Sequence, residues 1–122
     1  MTQTIGFVYE QLDNYLLSRI EGLWTRIEAE RVIEEISRLA AKHGYRCVLV
    51  DARKLSAPQM ELDRYLAGKH IAQEWRGLKC AIVYPENLIN KFTENTAVNR
   101  GAHLNIVSDF EDALTWLMDK QT

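Results

Sequence analysis

Two short apolar runs constrain the fold of this chain more than any other feature of its sequence. They occupy residues 46–51 and 78–84, and their centres read Cys-Val-Leu-Val and Cys-Ala-Ile-Val. Continuous apolar runs of this length are typical of parallel strands that helices cover on both faces. The sequence therefore predicts a central pair of buried strands, around Leu49 and Ile82, in an α/β fold.

Four other segments carry apolar residues at the spacing of an amphipathic helix. The first begins at a capping box, residues 25–28, whose hydroxyl and carboxylate would each satisfy a free amide, and it ends at Gly44. A second capping box, residues 108–111, is predicted to begin the last helix. The two helices between them are predicted over residues 60–76 and 87–98.

Gly68 stands in the middle of the second predicted helix. Glycine at such a position costs about 1 kcal/mol relative to alanine. We expect the compensation to be a close approach of the helix backbone to the sheet, which only a residue without a side chain permits.

The remaining strands complete a mixed sheet. Residues 5–10 and 14–21 are rich in β-forming residues and flank the turn Asp13-Asn14, so they predict a hairpin. Residues 103–107 predict a final strand. The order β-β-α-β-α-β-α-β-α then gives one domain over residues 1–122, an α/β fold with a mixed five-stranded sheet, an N-terminal hairpin and four helices.

Charge is balanced along the chain, with 15 basic and 17 acidic residues and a net charge of −2. Neither half carries the basic stripe with which a protein neutralises nucleic-acid phosphates. An anionic membrane surface would attract a similar basic cluster, and none is present. We therefore expect neither nucleic acid nor a membrane surface as the partner.

The cysteines and the hydropathy pattern predict a cytoplasmic location. No apolar run approaches the roughly 20 residues of a membrane span, and residues 1–6 do not resemble a signal peptide. Cys47 and Cys80 each lie in one of the apolar runs, so we expect buried thiols in a reducing compartment.

Three stretches carry a resemblance to a known family: Tyr15-Leu16-Leu17 through Glu21-Gly22, Val48-Leu49-Val50-Asp51 with its following loop and helix, and Asn99-Arg100-Gly101 followed by Ala113-Leu114-Thr115-Trp116-Leu117. On these residues the chain resembles STAS-like proteins, and more closely their SpoIIAA-like subgroup, which is grouped with the SEC14-like lipid-binding fold. The resemblance spans residues 5–117. It implies a bacterial, non-enzymatic binding module.

STAS proteins that act as anti-sigma-factor antagonists bind a partner kinase through the loop after the third strand and the start of the next helix. Phosphorylation of a serine there switches binding off, because it adds charge inside the interface. In this chain the equivalent position falls near Gln59 or Met60, neither of which can be phosphorylated. Ser56 is the only hydroxyl residue in the loop, residues 52–58.

The resemblance therefore implies binding of an unidentified protein partner at the end of the third strand and the start of the second helix. Two simpler interpretations remain open for Arg53: an ion pair with Asp51 or one with Asp63. The residues of the predicted partner-binding surface are Asp51, Arg53, Ser56, Gln59, Met60 and Asp63.

Relatives of the SEC14-like kind imply an alternative, a carrier or sensor of a small apolar ligand held between helices and sheet. Leu62, Tyr65, Leu66 and Trp75 would line that pocket, although the same spacing also fits plain core. A third possibility is a homodimer that contacts its second copy through an exposed Trp116 or Met118.

The turn after the third helix offers one further polar spot. Asn99 and Arg100 are predicted to contact an anion or a partner, and Gly101 is predicted to be a left-handed helix cap.

Reactive chemistry has little support in the sequence. His43, His70 and His103 are not paired with each other or with a cysteine at metal-ligand spacing, and the two cysteines are not a Cys-x-x-Cys pair. Neither a glycine-rich phosphate loop nor a nucleophile elbow appears. We therefore expect no catalytic residues, no metal and no cofactor.

Overall fold

The computed structural model describes residues 5–56 and 60–121. Within them five strands and four α-helices follow one another in the predicted order. A short 3₁₀ helix, Glu86–Leu88, precedes the third α-helix. The elements are β1 (Gly6–Gln11), β2 (Leu16–Gly22), α1 (Arg26–His43), β3 (Cys47–Leu55), α2 (Glu61–Glu74), β4 (Lys79–Val83), α3 (Phe92–Asn99), β5 (His103–Val107) and α4 (Phe110–Met118).

The strands form one sheet in the order β1-β2-β3-β4-β5. β1 pairs with β2 in the antiparallel sense, which confirms the predicted hairpin. β2, β3, β4 and β5 pair in the parallel sense. The sheet is therefore mixed and five-stranded, as predicted, with the hairpin at one edge.

Helices cover the two faces unequally. α1, α2 and α3 pack on one face, over a core that includes Val48, Val50 and Leu104. α4 packs on the other face against β3, β4 and β5, over a smaller core that includes Leu49 and Ala81. The predicted central pair is present, because β3 and β4 are adjacent and Leu49 is fully buried, although Ile82 is only partly buried.

β3 is longer than predicted and extends to Leu55, so the expected loop over residues 52–58 is wrong for its first four residues. The physical reason lies in the pairing with β2. After a register shift between Arg19 and Glu21, which leaves one extra residue in β3, the two strands pair again, with Glu21 beside Lys54 and Gly22 beside Leu55. The two strands thus extend each other.

α3 is shorter than its prediction and begins at Phe92 instead of residue 87. Lys91, just before it, has a left-handed backbone with φ of 65°. A residue in that conformation cannot continue a right-handed helix. The segment predicted as one helix is therefore a 3₁₀ helix, a break and α3.

Two helix caps differ in detail from the predicted capping boxes. Thr25 Oγ1 accepts a hydrogen bond from the Glu28 amide at 3.3 Å, as expected. The Glu28 carboxylate does not cap in return; it accepts from the amide of Ile5 at 3.1 Å. α4 is capped one residue later than predicted, by Asp109, whose Oδ1 accepts from the Asp112 amide at 2.9 Å.

Gly68 approaches a helix and not the sheet, contrary to the prediction. A Cβ atom added there would lie 2.6 Å from the carbonyl oxygen of Thr93 and 2.8 Å from Cβ of Thr96. Both residues belong to α3. The glycine therefore lets α2 and α3 pack backbone to backbone.

Candidate functional site

Two helices begin at the same edge of the sheet where two strands end. β2 ends at Gly22 and leads into α1, and β3 ends at Leu55 and leads into α2. Because β2 and β3 are parallel, their carboxyl ends lie at one edge. In α/β sheets this edge is the usual place for binding. We call residues 22–28, 55–56 and 60–63 the rim.

Ser56 is the polar centre of the rim. Its Oγ accepts a hydrogen bond from the Trp24 amide at 2.7 Å. Its own amide donates to the Gly22 carbonyl at 2.9 Å, and its carbonyl accepts from the Tyr84 hydroxyl at 3.1 Å. Burial raises the pKa of Tyr84, so this hydroxyl remains a donor. Ser56 is therefore fixed in place and is not a free loop serine.

Exposed apolar side chains are concentrated at the rim. Seven large hydrophobic residues are exposed in the part of the chain that the structure describes, and four of them belong to the rim. Their exposed fractions run from 48% to 73%. Several exposed apolar residues in one region of the surface are typical of an interaction surface, whereas single exposed apolar residues are ordinary. The four are Leu23, Ile27, Met60 and Leu62.

Asp51 and Arg53 lie on the opposite face of the sheet, the one that carries α4. Arg53 Nε and Nη2 donate to the two carboxylate oxygens of Asp51 at 2.9 and 2.8 Å, which is the first of the two pairings predicted for Arg53. The guanidinium also lies 5.7 Å from the ring centre of Phe110 in α4. The hydrogen bonds from Arg53 lower the pKa of Asp51, and the more distant Arg19 adds to this.

These charges border an open groove of about 430 Å³ on the face of β1 and β2. Its lining is more apolar than polar, and Asp51 and Arg53 pair with each other beside it. The arrangement holds a fixed carboxylate anion, which stabilises the sheet and leaves no proton to exchange near neutral pH.

The structure thus divides the predicted partner-binding residues between two faces. Asp51 and Arg53 lie beside α4, whereas Ser56, Met60 and the half-buried Asp63 belong to the rim. Gln59 lies outside the described residues. The exposed Ile27 was missed, although its position is a signal: it lies two positions before the buried Ala29, about 200° around the helix, so it faces away from the core stripe.

An apolar cavity of about 100 Å³ lies between the sheet and the first two helices. Its walls include Val50 and Ile82 from the sheet, Ile36 from α1 and Ile71 from α2. Trp75 lines it as predicted for the ligand alternative. Leu62, Tyr65 and Leu66 are not among the lining residues.

Tyr65 and Arg100 contact each other instead, joining α2 to the end of α3. Arg100 Nη2 donates to the Tyr65 hydroxyl at 2.9 Å, and its guanidinium lies 5.1 Å from the Tyr65 ring centre. Asn99 is exposed beside it. Gly101 has φ of 95°, which confirms the predicted left-handed residue after the helix.

Polar atoms are few around the cavity. The indole Nε1 of Trp24 is buried and has no hydrogen-bond partner among the described residues. Arg64 donates to Asn90 Oδ1 at 3.1 Å and to the Leu88 carbonyl at 3.4 Å, both neutral acceptors. An unpaired buried donor is costly, so an acceptor supplied by a ligand would stabilise this wall.

Cysteine chemistry has little scope at these sites. Cys80 is fully buried, and burial raises the pKa of its thiol.

Trp116 and Met118, predicted as the exposed contact of a homodimer, are half-buried against the α4 core. The Trp116 ring lies 4.8 Å from Nζ of Lys79.

None of the helices in the described ranges has the length and hydropathy needed to cross a bilayer.

No protein-family profile and no curated protein matches this sequence. Among solved structures, an anti-sigma factor antagonist from Mycobacterium paratuberculosis is similar, with a TM-score of 0.67 and 16% identity over 95% of this chain and 96% of that one. An uncharacterised protein with a SpoIIAA-like fold from Shewanella loihica is similar with a TM-score of 0.53 and 22% identity, over 96% of both chains. The chain therefore has the STAS/SpoIIAA-like fold.

Proposed function

We propose that this chain is a non-enzymatic module that binds a protein partner in bacterial regulation, and that it does so through the rim. The observation that carries the proposal is the concentration of exposed apolar side chains there. The likeness to an anti-sigma factor antagonist supports a regulatory partner by analogy.

The rim has the composition of a small interface centre. Ile27 and Met60 are the most exposed of its apolar residues, at 73% and 61%. Glu61 and Asp63 stand in the first turn of α2, where they add negative charge around that apolar centre. The partner surface is therefore expected to be apolar at its middle and basic at its border.

A non-enzymatic role is supported by the state of the titratable groups. Asp51 is held as an anion by Arg53, and Cys80 is buried as a thiol. A general acid or base instead needs a pKa near the working pH and access to a substrate. Neither group meets both conditions.

A serine switch at the rim would work differently from the one that the family resemblance implies. A phosphate on Ser56 would break the hydrogen bond from Trp24 and charge a half-buried site. Its first effect would therefore be to destabilise the structure of the rim, and repulsion of a partner would be secondary. We propose that the partner is not regulated through Ser56.

The experiment compares what three variants retain from a lysate of the source bacterium. Ile27→Asp and Met60→Asp each put a charge into the rim, and Val98→Asp is the matched control, because Val98 is an exposed apolar residue on α3. The proposal expects a protein that wild type and Val98→Asp retain and that both rim variants lose. If wild type and all three variants retain the same proteins from the lysate, the proposal is contradicted.

A second candidate function is the binding of a small apolar ligand, favoured by the cavity and by the unpaired Trp24 Nε1. Size decides what it can hold. An engineered cavity of about 150 Å³ binds benzene, and typical ligand pockets run from about 300 to 1,000 Å³. At about 100 Å³ this cavity admits a very small molecule, and a lipid would require α1 and α2 to separate.

Native mass spectrometry of the purified chain distinguishes the two candidates. A bound mass that disappears in Ile71→Trp, a variant that fills the cavity, would support the ligand. The bare chain, with rim-dependent partner binding, is the result that the first proposal predicts.

A further inference from the structure

The packing of α1 against α2 is fixed by two hydrogen bonds near the end of α2. The indole Nε1 of Trp75 donates to the Ile33 carbonyl at 2.9 Å. The hydroxyl of Ser37 donates to the Glu74 carbonyl at 2.7 Å. These bonds hold the two helices in register at this point, so side chains beside them are held close together as well.

Three such side chains converge on the outside of the helix pair. Glu34 comes from α1, and His70 and Glu74 come from one face of α2, four residues apart. One donor atom from each residue lies within 4.8 Å of the other two. The closest pair is Nε2 of His70 and Oε1 of Glu34, at 3.3 Å.

His70 supplies a second, independent observation. Its Nε2 is buried and makes no hydrogen bond within the described residues. The 3.3 Å contact with Glu34 therefore lacks hydrogen-bond geometry. A buried ring nitrogen that makes no hydrogen bond and lies 3.3 Å from a carboxylate oxygen is placed to share a bound ion with that carboxylate.

We propose that Glu34, His70 and Glu74 bind one divalent first-row transition metal ion, of which Zn²⁺ is the probe. Imidazole nitrogen and carboxylate oxygen are both zinc ligands, and a site with three protein ligands leaves a fourth position for water. Calcium and magnesium prefer oxygen ligands throughout, so they fit less well. A dication also cancels the two negative charges that otherwise face each other across the helices.

Zinc coordination here needs a local side-chain adjustment. Two ligand atoms on one tetrahedral zinc ion, each about 2.0–2.2 Å from it, lie about 3.3–3.6 Å apart. The three candidate ligand atoms lie within 4.8 Å of one another. The Glu34 side chain is 55% exposed, so it has room to change rotamer and to move by the roughly 1 Å that a tetrahedral site requires.

Binding here is separate from the proposed partner function. The ion would link α1 to α2 at the outside of the helix pair, whereas the rim lies where these helices begin. The site would therefore strengthen the contact between two helices that wall the cavity. Loss of metal binding and loss of partner binding are independent results.

Calorimetric titration of Zn²⁺ into the full chain, previously dialysed against a chelator, tests the proposal. We expect one equivalent to bind with Kd below about 100 μM, and His70→Ala and Glu74→Gln to weaken it at least tenfold, about 1.4 kcal/mol. Matched controls are His103→Ala, an exposed histidine on β5, and Glu35→Gln, next to Glu34 on α1. Both should bind as wild type does.

Co²⁺ absorbance identifies the donor atoms. The expected spectrum has weak d–d bands that His70→Ala abolishes, without a thiolate charge-transfer band from Cys47. Absence of binding, equal binding by wild type and His70→Ala, or a thiolate band would each overturn the assignment. Circular dichroism of the metal-free variants, expected to match wild type, shows that altered binding does not reflect unfolding.

Discussion

The hydroxyl of Ser56 accepts a hydrogen bond from the backbone amide of Trp24 at 2.7 Å. This bond joins the end of β3 to the segment that leads from β2 into α1. The two residues thus hold the rim together from both sides. The serine that a phosphorylation switch would use is, in this chain, a structural part of the surface.

Replacing Ser56 with alanine should therefore destabilise the chain. The change leaves the Trp24 amide without its partner, and an unsatisfied buried donor costs about 1–3 kcal/mol. Because the site is half-buried, we expect the lower half of that range, measured by urea unfolding. Ser108→Ala, at an exposed bend, is the matched control. Equal stability of the two variants would mean that the Ser56 bond contributes little.

Met60→Asp should stabilise the chain, in contrast to most charged replacements of apolar residues. Met60 is the N-cap of α2 and makes no side-chain cap hydrogen bond. Aspartate at an N-cap is worth about 0.5–2 kcal/mol relative to a residue that cannot cap. Met60→Ala should leave the free energy of unfolding unchanged. If the urea midpoint of Met60→Asp is no higher than that of Met60→Ala, residue 60 does not have the geometry of an N-cap.

Gly68→Ala should destabilise the chain although alanine is the better helix former. The added methyl group would lie 2.6 Å from the Thr93 carbonyl oxygen, and overpacking of this kind costs about 1–3 kcal/mol. The gain in helix propensity, about 1 kcal/mol, offsets only part of it. Thermal unfolding should show a lower Tm, with the exposed Lys69→Ala as control. A raised Tm would contradict close packing of α2 on α3.

Asp51→Asn should show a stability loss that depends on pH. The folded pKa of Asp51 is lowered by hydrogen bonds from Arg53. The stabilisation is therefore fully present above the pKa of an unfolded aspartate, about 3.9, and is lost as the pH falls through the lower folded pKa. Because Arg53 is half-exposed, we expect about 1 kcal/mol at pH 7.

Urea unfolding at pH 7 and at pH 3 measures this difference. The difference in the free energy of unfolding between wild type and Asp51→Asn should be smaller at pH 3 than at pH 7. Asp13→Asn, in the exposed hairpin turn, is the control. If this difference in the free energy of unfolding is the same at both pH values, the ion pair does not stabilise the fold.

The buried strands could be predicted closely because their burial dictates their composition. β4, Lys79–Val83, lies within the predicted run of residues 78–84. The end of β3 could not be predicted in the same way. Arg53 and Lys54 look like loop residues, yet they belong to a strand, because α4 leaves this end of the sheet open to solvent on one face.

The faces of α2 were equally hard to derive. Apolar residues at helical spacing occur on more than one side of this helix, so the spacing that predicts a helix does not select the side that packs inward. The structure buries Ala67 and Ile71 and leaves Leu62 exposed. The cluster of Glu34 with His70 depends on the packing of two helices, and because these residues are 36 positions apart in the sequence, no local motif indicates it.

The role of the rim is tested by the affinity of the purified partner for the Ile27→Asp variant. Titration calorimetry should show a loss of at least about 2 kcal/mol relative to wild type, the size of an interface hot spot, while Val98→Asp binds unchanged. If Ile27→Asp and Met60→Asp both bind with wild-type affinity, the partner contacts another surface and the account of the rim is wrong.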